Sequence, residues 1–184
     1  MTGGAGFIGS AFIRHVIKKT SHSIFNIDKL HYASNLKNLK DIDSSERYYF
    51  KKLNILNAYG IRKILENFKP DIILHLAAES HVDRSIFSPI KFLNSNVNGT
   101  FVILEEARKY FSKLSYNKKK NFRFHHVSTD EVFGDLNNEN DLFSEETPYA
   151  PSSPYSASKA SSDHFVRAWQ RTFNLPTLIT NCSN

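Results

Sequence analysis

Nine residues near the start of the chain, Thr2-Gly3-Gly4-Ala5-Gly6-Phe7-Ile8-Gly9-Ser10, restrict its fold more than any other stretch. In a loop with glycines at positions 3, 6 and 9, the first makes a sharp turn. The second lets backbone N–H groups approach a pyrophosphate, and the third lets the next helix pack closely on a strand. The helix that follows adds the partial positive charge of its N-terminus at the same point. A helical pattern does follow, over residues 9–19, and an apolar run, Ile24-Phe25-Asn26-Ile27, then ends in Asp28. A carboxylate in that place accepts the ribose hydroxyls of an adenosine and repels a 2′-phosphate, which favours NAD over NADP.

The rest of the chain alternates between two patterns. Residues 23–28, 47–53, 71–76, 122–129 and 176–181 read as strands, and residues 58–68, 89–111 and 156–173 carry helical spacing. Strand–helix alternation predicts an α/β fold, a doubly wound parallel sheet in the order 3-2-1-4-5-6. The glycine loop of such a sheet follows its central strand, yet only Met1 and Thr2 precede Gly3. The first strand is therefore expected to be missing, and the second and fourth strands to lose their shared neighbour, leaving backbone polar groups without partners. Residues 1–184 are expected to form one dinucleotide-binding domain, incomplete at that strand. A polar stretch with three prolines, residues 137–154, would leave the carboxyl end of a strand, where ligands bind in such sheets.

Hydrophobic residues make up 40% of the chain and charged residues 23%, as in a soluble globular domain. No apolar run approaches the roughly 18 residues of a membrane span, and the first residues have neither a basic nor an apolar leader region. No membrane partner is expected. Cys182 is the sole cysteine, which excludes an internal disulfide and fits the cytoplasm. The net charge of +6 comes from scattered lysines, and the one dense run, Lys118-Lys119-Lys120, is expected in a solvated loop. No nucleic-acid partner and no metal site are expected.

Two constellations carry chemistry. Tyr155-Ser156-Ala157-Ser158-Lys159 puts a phenol and an amine four residues apart, on one face of a helix. The ammonium is expected to lower the tyrosine pKa towards a working value. At the end of a strand, Thr129 is followed by the adjacent acids Asp130 and Glu131. Removing water across two carbons needs one group to take a carbon-bound proton and another to protonate the departing hydroxyl, and two carboxyl groups in different environments can divide those roles.

The glycine loop and the Tyr155/Lys159 pair on one chain resemble the extended short-chain dehydrogenase/reductase superfamily from end to end. Thr129-Asp130-Glu131 narrows the likeness to the nucleotide-sugar 4,6-dehydratases. Residues 75–85, 150–164 and 181–184 are similar, almost letter for letter, to the branch that acts on dTDP-glucose. The resemblance implies a Rossmann domain that holds NAD through Gly3, Gly6, Phe7, Ile8, Gly9, Asp28, Lys29, Asn54, Ile55, Leu76, Ala77, Ala78, Ser80, Ser95, Tyr155 and Lys159. It implies that the sugar nucleotide meets Ser80, Thr129 and Asn184. The implied cycle oxidises sugar carbon 4, with Tyr155 taking the hydroxyl proton, Lys159 holding the nicotinamide ribose and Thr129 orienting the hydroxyl. Glu131 then removes the proton on carbon 5, Asp130 protonates the hydroxyl leaving carbon 6, and the hydride returns to carbon 6. The resemblance also implies a smaller substrate domain after residue 184, dimerisation through helices around residues 89–111 and 156–173, and little or no activity for this portion alone. The same motifs would be shared by a non-catalytic remnant; a 4-epimerase would lack the paired acids. The sequence departs from the pattern at Asn54, where an acid is usual, at Phe133, usually tyrosine, and at Ser34, usually glycine.

Overall fold

A computed structural model describes residues 1–136, 138 and 141–183. The chain runs α1 (Phe7–Lys19), β1 (Ile24–Asp28), a 3-10 turn (Leu36–Leu39), β2 (Tyr48–Lys52), α2 (Ala58–Phe68), β3 (Ile72–His75), α3 (Val82–Phe87), α4 (Pro89–Phe92), a π turn (Leu93–Asn98), α5 (Gly99–Ser112), α6 (Tyr116–Asn121), β4 (Arg123–Thr129), a 3-10 turn (Asp130–Phe133), α7 (Pro154–Phe173) and β5 (Thr177–Cys182). Local chemistry sets several of these boundaries. The Asn57 side chain accepts from the Gly60 N–H to start α2. Ser153 and Ser156 form a reciprocal capping box at the start of α7, with Pro154 in its first turn. Lys69 and Asn174 end α2 and α7 in the left-handed conformation.

All the strand pairs are parallel: β1 with β2, β3 with β4, and β4 with β5. The two groups meet at Thr2, which bridges Ile27 on one side and His75 on the other. The order is therefore β2-β1-Thr2-β3-β4-β5, the expected doubly wound arrangement. The expectation that the flanking strands lose their shared neighbour needs correcting at their carboxyl ends, because Met1–Gly3 fills that place. Thr2 N–H donates to Leu74 O at 3.0 Å and Gly3 N–H to Ile27 O at 2.9 Å. Ile27 N–H donates to Met1 O at 2.9 Å and Leu76 N–H to Thr2 O at 3.2 Å. Towards the amino ends no strand separates β1 from β3 among the described residues, and Ile72 is 60% exposed there.

Side chains cover the two faces of the sheet unequally. On one face Ile61, Leu65, Ile103, Leu104 and Val166 of α2, α5 and α7 pack with Ile27, Ile73 and Phe124. On the other, Ile13 and Ile17 of α1 pack with Ile24, Leu39 and Ile42. The stretch expected as one helix over residues 89–111 is interrupted by the π turn, which brings Asn96 inward. Its amide accepts from Glu79 N–H (2.8 Å) and donates to Glu79 O (2.9 Å) and Ser158 Oγ (2.9 Å). The lysine run is helical, not a loop, with Lys118 and Lys120 exposed and Lys119 half-buried at the end of α6, where cations favour a helix C-terminus.

Candidate active site

A cleft of about 320 Å³ opens at the carboxyl edge of the sheet, over the seam between β1 and β3. Of the side chains that the resemblance assigns to the cofactor, Gly3, Gly6, Phe7, Ile8, Gly9, Asp28, Lys29, Ile55, Leu76, Ala77, Ala78, Ser80, Ser95, Tyr155 and Lys159 all line it. Asn54 does not. Its carboxamide oxygen accepts from Leu56 N–H at 3.0 Å, closing its own turn, and Leu53 and Ile55 form the wall instead. The cleft also includes Tyr32, Ala33, Ser34, Glu79, Val127 and Ser128, most of them sequence neighbours of residues already singled out.

The glycine turn is shaped by close contact. Gly3 has φ +74°, and a Cβ on it would stand 2.7 Å from Ala77 N. A Cβ on Gly9 would stand 2.4 Å from Gly3 O, so α1 can root against the turn only if residue 9 lacks a side chain. At Gly6 the space is open apart from Gly3 O at 3.4 Å. No side chain caps α1 at Gly6, so its first-turn N–H groups are not claimed by a capping group. Such a turn fits a pyrophosphate.

Asp28 is buried and braces this turn. Its Oδ2 accepts from Ala5 N–H (3.0 Å), and its Oδ1 from Leu30 N–H and Ser34 Oγ, both at 2.8 Å. A carboxylate offers about four acceptor positions, which leaves room for one ribose hydroxyl. Ser34, a departure from the family pattern, is thus tied directly to the acid. Lys29 reaches across to the buried Glu79, Nζ to Oε1 2.7 Å.

At the other end, β4 delivers Thr129, and the 3-10 turn after it delivers Asp130 and Glu131. The Thr129 hydroxyl accepts from Glu131 N–H at 3.3 Å, and Asn181 Nδ2 donates to Thr129 O at 3.0 Å. Glu131, partly buried and beside Asp130, is pushed above the ordinary carboxylate range. From the first turn of α7 the Tyr155 phenol faces this group, and Lys159 follows one turn below. The expected lowering of the tyrosine pKa is corrected. Burial and the Glu131 carboxylate push the phenol up to about 12, and the Thr129 hydroxyl offsets only part of that. Lys159 Nζ donates to Val127 O at 2.8 Å, and burial brings the amine itself down to about 8. Asn184 lies outside the described residues.

The family model described as GDP-mannose 4,6 dehydratase matches residues 1–184. A dTDP-glucose 4,6-dehydratase of Salmonella typhimurium is 58% identical over all of this chain, and one of Neisseria gonorrhoeae 55%. The chain spans about half the length of these relatives, 53% in both cases. A crystal structure of the Bacillus anthracis dTDP-glucose 4,6-dehydratase in complex with NAD superimposes with a TM-score of 0.86 at 39% identity, over 100% of this chain and 53% of that one. The Streptomyces venezuelae enzyme with NAD and TYD bound gives a TM-score of 0.88 at 39% identity, over 98% of this chain and 54% of that one. By sequence and by fold, the chain belongs to the GDP-mannose 4,6 dehydratase family.

Proposed function

We propose that this chain is the cofactor-binding and catalytic portion of a dTDP-glucose 4,6-dehydratase, with NAD lying along the cleft from Gly3–Gly9 to Tyr155. One observation carries the reading: Tyr155 and Lys159 line a cleft whose far wall is the glycine turn, and the Tyr155 phenol feels the neighbouring Glu131, Thr129 and Asp130. The similar dTDP-glucose 4,6-dehydratases support the choice of substrate. The uncapped start of α1 suits the pyrophosphate, Asp28 a ribose hydroxyl, and the small side chains of Ala77 and Ala78 the close approach of a flat ring.

Bound NAD would supply the hydride acceptor and, later in the cycle, the hydride donor. The side chains do the rest. Tyr155 takes the proton from the hydroxyl at sugar carbon 4, which Thr129 orients. A phenol near 12 keeps its own proton near neutral pH, so Lys159 must turn from Val127 O towards the ribose and phenol to favour the phenolate. Once carbon 4 is a ketone the proton on carbon 5 is acidic. Glu131, whose raised pKa makes it a stronger base, removes it, and Asp130 gives a proton to the hydroxyl leaving carbon 6. The product is a 4-keto-6-deoxy sugar nucleotide.

Among the described residues no helix is long and apolar enough to cross a membrane; a cytoplasmic enzyme belongs to the same reading. Pairing of two copies through the helices of residues 89–111 and 156–173 is supported by the exposed Ile90, Leu93 and Phe101 in the first of them.

Calorimetric titration tests the cofactor. The chain is expected to bind NAD in preference to NADP, and Gly9→Val to weaken NAD at least about tenfold, a loss of about 1.4 kcal/mol. No NAD binding, or a preference for NADP, would refute the reading. In turnover assays of an intact enzyme with dTDP-glucose, Glu131→Gln is expected to slow solvent deuterium entry at carbon 5 about 100-fold or more, and an unchanged rate would move the base elsewhere.

A further inference from the structure

The cleft holds a cation where NAD calls for none. Asp28 is placed to repel a 2′-phosphate, yet the next residue, Lys29, lines the same wall. A phosphate monoester carries nearly two negative charges, and a free lysine ammonium beside it is a strong attractant. An unpaired Lys29 would therefore offset the discrimination that Asp28 provides. Among the described residues the cleft is lined by one other lysine, Lys159, which stands at the Tyr155 end and is bonded to Val127 O.

The Lys29 charge is committed to the opposite lip. Its Nζ lies 2.7 Å from Oε1 of Glu79, just past β3, and His31 Nδ1 lies 3.6 Å from Oε2 of the same carboxylate. Leu30, between them, has φ +57°, a strained conformation for a residue with a side chain. Its N–H donates to Asp28 Oδ1 at 2.8 Å, so one tight turn carries both the acid and the lysine. Glu79 is held in place. Its side chain is 5% exposed, and the Asn96 amide bonds both its backbone N–H and its carbonyl. A carboxylate buried to this degree is costly without a cation, so the pair holds more firmly than one on the open surface. Arg84 also crosses between the lips, but its guanidinium stacks on the Tyr32 ring at 3.6 Å and does not line the cleft.

We propose that Glu79 is a specificity-determining residue: it cancels the Lys29 ammonium and so lets Asp28 exclude a dinucleotide that carries a 2′-phosphate. Together Asp28, Lys29 and Glu79 have a formal charge of −1, and without Glu79 the sum is zero. Selection against the phosphate thus depends on two acids from two strands, one facing the ligand and one disarming the neighbouring cation. This role rests on the proposed NAD-binding function and adds a second determinant to it.

Calorimetric titration of the full chain with NAD, and with NADP by displacement of bound NAD, tests the role at one pH and ionic strength. Glu79→Gln keeps the size of the side chain and both backbone bonds to Asn96. It is expected to raise the affinity for NADP relative to NAD about tenfold. Adding Lys29→Met should abolish that gain, because the freed ammonium is what attracts the phosphate. Loss of a merely structural link between the lips would weaken both dinucleotides alike and leave the ratio in place. An unmoved ratio in Glu79→Gln overturns the proposal, and so does a gain that survives Lys29→Met. Should Glu79→Gln not fold, Lys29→Met alone decides, since that side chain is 34% exposed. With Glu79 left uncompensated, NADP is expected to lose affinity relative to NAD, and an equal or higher ratio overturns the proposal. A chain that binds neither dinucleotide refutes the proposed function and this role with it. A chain that binds NAD but keeps its ratio in these variants refutes this role alone.

Discussion

On one face of the sheet three helices press Ile61, Leu65, Ile103, Leu104 and Val166 onto Ile73 and Phe124. On the other, α1 alone sets Ile13 and Ile17 over Ile24, with Leu39 and Ile42 closing the edge. The deep face also holds His75, His126 and Asp163, all buried. The shallow face holds the helix that roots the glycine turn. The contrast separates two tasks. Side chains that must keep fixed protonation states sit where packing is thickest and water is excluded. The turn proposed to receive the cofactor sits where the protein is thinner and its backbone N–H groups remain open.

Truncations on the two faces test that contrast most strongly. Phe124→Ala is expected to cost about 3–5 kcal/mol, because three helices and two neighbouring strands surround the cavity and cannot collapse into it. Ile13→Ala should fall near the lower end of its usual range, about 2 kcal/mol, since a single helix can settle. Equal losses in urea unfolding would erase the distinction.

Acid should act chiefly through the deep face. His75 is held well below 6.5 and His126 at about 4, both mainly by burial, so the unfolded chain binds more protons than the folded one as the pH falls below 6.5. The stability they contribute is full above about pH 6.5 and is lost on going down towards 4. For His126 alone this amounts to up to about 3 kcal/mol. His126→Gln should flatten this part of the profile and Ile13→Ala should leave its slope unchanged. An unaltered slope in His126→Gln would show that acid acts elsewhere.

The smallest expected effect concerns the seam. Thr2 Oγ1 lies 2.7 Å from His75 Nδ1 and accepts from Ala77 N–H at 3.2 Å. Thr2→Val keeps the shape and strands both partners, at a cost of about 1–2 kcal/mol by denaturant titration. A loss below about 0.5 kcal/mol would mean that the two strand groups need no polar link at this point.

Much of this was legible in the residues. The strands were found within a residue or so of their bounds because alternation and turn residues bracket them, and α2 within its bounds because Asn57 and Lys69 punctuate it. Nearly the whole wall of the cleft could be named because it is built from short consecutive runs, where neighbouring backbone carries one residue along with the next. What escaped depended on direction. The π turn hides inside a helical period, with only the cluster Asn94, Asn96 and Asn98 as a hint. Asn54 turns its amide to its own backbone, a choice no spacing reveals. The ionisation of Tyr155 depends on where the Lys159 amine points and on how deeply the phenol is buried.

The three residues that stitch β1 to β3 are also the root of the glycine turn. Whatever grips the turn draws the two strand groups together, and whatever parts them slackens the grip. Occupancy of the cleft and continuity of the sheet are then one coordinate, and exchange of the Ile27 and Leu76 amides, both bonded to that stitch, should slow in step with saturation by ligand.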